Sequence, residues 1–109
     1  PGWVCYAEKT QGDFVLPFIS STKSPQQVMG SIVKDFFSSQ TIHKPSNSIF
    51  HVSVMPCFDK KLEASRPDFF DEVSQTRDVD SVITSLEIVK LINDLNIDFL
   101  SLTESPIDP

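Results

Sequence analysis

Cys57 has the residue type and setting best suited to chemistry. It follows Pro56 at the end of an apolar, β-branched run, with Lys60 three residues on and Glu63 six. Thiolates, not thiols, bind metal and attack electrophiles, and a cation this close favours the thiolate. Spacing alone leaves two readings open: a metal ligand, or a free cysteine packed at a strand end as a small hydrophobe. The other cysteine, Cys5, stands far away in sequence and reads as an ordinary helix residue, and two thiols cannot complete a four-thiolate site. A single disulfide is the simplest pairing in an oxidising compartment, but low cysteine usage without a signal peptide favours a reducing one. His43 and His51 share no ligand spacing with either cysteine. Serines, a histidine and Asp59 suggest a hydrolase triad only on paper, because there is no Gly-x-Ser-x-Gly elbow, and three glycines cannot build a phosphate-binding loop. Asp68, Asp71 and Glu72 read as a solvated face.

Charge narrows the partners. Nine basic against fifteen acidic residues give a net charge of −6, and Lys60-Lys61 is the sole basic pair. Nucleic acid and anionic membrane surfaces are therefore disfavoured. No apolar run approaches the length of a bilayer span. Leu, Ile, Val and Phe make up about a third of the 109 residues, above the roughly 20% below which a charged chain stays disordered. One small domain of this length buries about two-thirds of its unfolded surface. A first residue that is Pro rather than Met implies an excised or processed chain.

The elements that must position Cys57 follow from pattern. A helix is expected over Pro1 to Thr10, with Trp3, Val4 and Ala7 on one face and Gly12 as its stop. Ser24, Pro25 and Gln27 form the start of a second helix, a capping box of the Ser-x-x-Gln kind. Its apolar stripe of Val28, Met29, Ile32, Val33, Phe36 and Phe37 predicts packing against a sheet, and Gly30 within it signals either close packing or a tolerated accident. A turn at Lys44–Ser48 leads into a strand over Ile49–Met55, with Phe50, Val52 and Val54 on one face, and Pro56 ends it. Lys60 to Glu63 opens a short helix that Arg66-Pro67 closes, and Phe69-Phe70 anchors the following stretch to the core. A second strand over Val79–Thr84 runs into another capping box, Thr84 with Glu87. The next helix turns Ile88, Leu91, Ile92 and Leu95 to one side, and the residues after Asn96 read as a linker. The order is α/β, and two strands are too few for an independent sheet, so the piece is expected to belong to a larger parallel or mixed one. Ligands in such sheets sit at the carboxyl ends of strands, where Met55-Pro56-Cys57 emerges.

The run Met55-Pro56-Cys57-Phe58-Asp59-Lys60-Lys61-Leu62-Glu63 resembles the second signature of the large chain of iron-only hydrogenases, Met-Pro-Cys-x-x-Lys-x-x-Glu. Pro1-Gly2-Trp3-Val4 resembles the tail of the first signature. Lys23-Ser24-Pro25-Gln26-Gln27, and Asp78-Val79-Asp80 ahead of Thr84 and Glu87, match the same domain in the same order, so the resemblance covers nearly the whole chain. It implies a fragment of the C-terminal domain of the iron-only hydrogenase large subunit, an α/β fold with strands flanked by helices. Thr22 stands where hydrogenases usually carry Cys, and Leu86 where they carry Arg. The run from Asp59 to Phe70 is similar to the eukaryotic hydrogenase-like proteins of cytosolic iron–sulfur assembly, the prelamin A recognition factor-like group. That resemblance implies a non-catalytic protein that holds 4Fe-4S clusters. It would link cluster synthesis to a targeting complex built on a WD-repeat protein. The alternative is a piece of a catalytic hydrogenase that evolves or takes up hydrogen at a diiron-containing cluster. Cys57 then matches one of four cluster ligands, another lies immediately before Pro1 and two lie beyond Pro109. Met55 and Lys60 match the hydrogenase residues that contact the diiron subcluster.

Overall fold

The structure, a computed structural model, describes residues 2–107. Pro1, expected in the first helical turn, and the last two residues of the expected linker lie outside that range. Strands β1 (Val52–Met55) and β4 (Ser81–Thr84) form a two-stranded parallel sheet, Val52 opposite Ser81 and Met55 opposite Thr84. Helix α4 (Asp59–Ser65) and a small antiparallel hairpin, β2 (Phe70–Asp71) with β3 (Thr76–Arg77), occupy the crossover between them. The strands are shorter than the β-branched runs suggest: Pro56 ends the first, and the ladder begins only at Val52.

Before the sheet come α1 (Gly2–Thr10), α2 (Gly12–Val15) and α3 (Pro25–Ser31). Gly12 does not end the first helix as expected. The bend falls at Gln11, and Gly12 opens the next turn. Ser24 caps α3 by accepting a hydrogen bond from Gln27 N at 3.4 Å, but the reciprocal half of the box is absent, because the buried Gln27 amide has no partner among the described residues. The chain continues from α3 into a wider π-helical stretch, Ile32–Ile42, which His43 closes in a left-handed conformation at φ 54°.

The burial of this long helix reverses the expectation. Met29, Ile32 and Phe36 are exposed, whereas Gln26, Gln27, Gly30, Lys34 and Ser38 are buried. Gly30 explains the register: a Cβ there would lie 2.7 Å from the carbonyl oxygen of Asp78, so the helix seats its glycine directly on backbone. The sheet likewise leaves apolar residues open. Ser53 of β1 is buried and Val52 and Val54 are exposed. The central cluster is Ala64, Val79 and Val82, with Met55 packed against it. Phe69 is half-buried and Phe70 more open, under Lys23 and Arg77 respectively, rather than anchored in that cluster. Helix α5 (Ser85–Asp94) begins at the predicted box, with Thr84 and Glu87 bonding each other's backbone N–H.

Candidate metal centre

Pro56 has no N–H for the ladder, so the chain leaves the sheet at the carboxyl end of β1 and turns into α4. Cys57 is exposed on that turn. Both cysteines are free thiols. The turn is closed by Lys60 N donating to Cys57 O at 3.3 Å and Lys61 N to Phe58 O at 2.9 Å.

Two other helices are tied to this turn. Gly2 N donates to Asp59 Oδ1 at 2.7 Å, which sets the first turn of α1 against the first turn of α4. Gln26, buried at the start of α3, donates from Nε2 to Lys60 O at 3.1 Å and accepts from Ser53 Oγ at 3.2 Å. The starts of α1, α3 and α4 thus meet where β1 ends. This convergence was not legible in the sequence as a set of contacts; its only signal was that Gln26 and Gly2 fall within two of the resemblance's motifs.

Of the residues singled out by sequence, Cys57 and Lys60 share this junction. Lys60 is half-buried, with Nζ 2.9 Å from Glu63 Oε2. Burial pushes the Glu63 carboxyl up, but hydrogen bonds from Ser24 and Lys60 outweigh it, and the group stays below its ordinary value. Met55 is turned to the Ala64–Val79–Val82 cluster, on the protein side of the junction. Cys5 lies elsewhere, half-buried on α1 with Arg66 Nη1 3.8 Å from its sulfur. Arg66 also pairs with Glu8 at 2.7 Å and lowers that carboxyl. His51 is structural: its N–H bonds Asp80 Oδ2 at 2.7 Å and its Nδ1 lies 2.9 Å from Asp78 O. Among the described residues no group of three or more His, Cys, Asp or Glu could hold a metal ion. Cys57 is a single soft donor, exposed and unpaired, which fits one corner of an iron–sulfur cluster and no complete site.

A parallel βαβ unit with a thiol-bearing turn at its carboxyl edge is the layout of an α/β ligand-binding domain. The chain belongs to the family defined by the C-terminal domain of the iron only hydrogenase large subunit, whose sequence profile matches residues 1–109. It is 57% identical over 108 residues to cytosolic iron-sulfur assembly component 3 of Mus musculus, covering 99% of this chain and 22% of that protein. It is 56% identical to the cytosolic Fe-S cluster assembly factor narfl of Xenopus tropicalis, again over 22% of that protein. An FeFe-hydrogenase of Chlamydomonas reinhardtii matches the whole chain at a TM-score of 0.90 and 31% identity, over 26% of its own length. The chain therefore spans about a fifth of these curated relatives and about a quarter of the hydrogenase. Among the described residues no helix is long and apolar enough to cross a membrane.

Proposed function

We propose that this chain is part of a cytosolic iron–sulfur cluster assembly factor and contributes Cys57 as one of four thiolates to a 4Fe-4S cluster. The other three come from polypeptide outside these 109 residues, one of them immediately ahead of α1. The observation that carries the reading is the Gly2–Asp59 hydrogen bond, which holds the start of α1 beside the turn that presents Cys57. A thiolate preceding α1 and the Cys57 thiolate would then border one space. The cluster, when bound, supplies iron–sulfur units or electrons.

This chain's residues shape and hold that corner. Gln26 and Asp59 fix the turn, Met55 forms its apolar floor, and Lys60 places a cation one helical turn from the ligand. Thr22 and Leu86 replace the Cys and Arg usual in hydrogenases, which favours assembly over hydrogen chemistry. The partner is the targeting complex of the same pathway, through its WD-repeat protein, in the cytoplasm. The full-length protein, purified without oxygen, is expected to carry iron and sulfide and to evolve no hydrogen. Hydrogen evolution with a diiron signal would replace this reading with the hydrogenase one, and a protein free of iron would leave a plain α/β binding module.

A further inference from the structure

The last residue of the Met-Pro-Cys-x-x-Lys-x-x-Glu run, Glu63, sits in a setting built from two helices. The Glu63 side chain is buried, at 6% exposure. Its Oε2 accepts from Lys60 Nζ at 2.9 Å, and its Oε1 accepts from the Ser24 hydroxyl. Ser24 is the residue that caps α3, and the Lys60 carbonyl is held by Gln26 from the same helix start. The backbone N–H of Lys60 in turn closes the Cys57 turn. Glu63 therefore touches both the cap of α3 and the side chain of Lys60, whose backbone closes the Cys57 turn.

We propose that Glu63 is a positioning residue for the cluster corner: it holds Lys60 in a neutral ion pair and locks α3 to the turn that carries Cys57. The inference rests on the cluster reading given above. Its physical content is that the cluster meets a paired cation at this corner rather than a free one. Glutamine at position 63 keeps both hydrogen-bond acceptor contacts through its amide oxygen only in part, and removes the charge that neutralises Lys60. The freed ammonium then stabilises the more negative, reduced form of a nearby cluster.

The test uses the full-length protein, as apoprotein and with its cluster. In the apoprotein, acetic anhydride labelling of Lys60, read by peptide mass spectrometry, is expected to run about two- to fivefold faster in Glu63→Gln than in wild type, the range a half-buried ion pair supplies through shielding. In the loaded protein, Glu63→Gln is expected to raise the cluster's reduction potential, and Lys60→Met, which leaves the carboxylate unpaired, to lower it. Opposite signs are the signature that a role in folding alone would not give. Unchanged labelling, or potentials that do not move in opposite directions, would overturn the proposal. If Glu63→Gln does not fold, Lys60→Met decides by itself, and an unmoved potential there is again fatal. If wild type binds no cluster, the cluster reading fails, and the apoprotein labelling still judges the ion pair.

Discussion

Lys34 is 2% exposed, and its ammonium is shared by Asp80 at 2.7 Å, Thr76 Oγ1 at 2.9 Å and the Ile49 carbonyl. It joins the π-helical stretch to the approach of β1 and to the loop before β4, with Asp80 also accepting from His51 N at 2.7 Å. Removing one partner of a buried pair leaves the other charge uncompensated, which costs about 3–5 kcal/mol. Lys34→Met is therefore expected to lower the unfolding free energy of the full-length protein by about that much in a urea titration. A change below about 1 kcal/mol would show that Asp80 is satisfied without it. Nothing in the sequence marks Lys34, because lysine is almost never fully buried unless paired, and pairing is a fact of three dimensions. Cys57, by contrast, was legible from its own neighbours: a β-branched run, a proline that must end it, and a signature spanning the next turn. Gln26 falls between these cases, since a glutamine after a helix cap gives no hint that its amide will bridge a strand and another helix.

Helix starts were the most legible elements, because a cap is a local device. Thr84 and Glu87 form the predicted box, and Glu87 also receives Lys61 at 2.8 Å. The Lys61 hydrogen bond first, and the Thr84 N–H next, lower the Glu87 carboxyl from 4.5 to about 2. A depressed carboxyl stabilises the fold above its ordinary value, and that contribution is lost as pH falls from about 4.5 towards about 2. Acid unfolding of the wild type is expected to show this loss, and Glu87→Gln to flatten stability over the same window; identical acid profiles would contradict it. Helix faces were less legible. The stripe from Val28 to Phe37 has helical period, but period does not say which side meets the protein, and Gly30 on the opposite side settles it. Alanine at position 30 should gain about 1 kcal/mol in propensity. Its Cβ, however, would sit 2.7–2.9 Å from the Asp78 backbone and Cβ, and overpacking against backbone costs about 1–3 kcal/mol. Gly30→Ala is expected to be net destabilising by thermal melting, and a raised midpoint would mean that the Asp78 loop yields easily. The β2–β3 hairpin escaped the sequence because each strand is two residues long and Gln75 takes the left-handed turn position at φ 53° without a glycine or asparagine to announce it.

Among the described residues, the buried apolar ones are Ala7, Ala64, Val79 and Val82, while Phe14, Phe18, Phe36, Phe50, Phe99 and Leu100 are exposed. The radius of gyration is 17.1 Å, against about 13 Å for a compact domain of this length. Parallel sheets are stable when both faces are covered, and here Val52 and Val54 leave one face of β1 open. The α/β order was legible as the alternation of strand and helix signals, which left the sheet parallel or mixed; β1 and β4 pair in parallel. The inside-out burial was not legible, because it depends on what the exposed faces pack against. The isolated 109 residues are accordingly expected to bind a hydrophobic dye and to unfold without a sharp transition, and a cooperative melt would contradict this. The same chain is expected to retain no stable cluster after anaerobic reconstitution, since a 4Fe-4S cluster takes four thiolates and the chain has two cysteines, of which only Cys57 lies at the junction. The central claim, that Cys57 is a cluster ligand, is tested most directly by the iron content of full-length protein carrying Cys57→Ser, with Cys5→Ser alongside. Cys57→Ser is expected to lose up to about four irons per chain, one cluster's worth, while Cys5→Ser keeps the wild-type content; full iron in Cys57→Ser would remove Cys57 from the site.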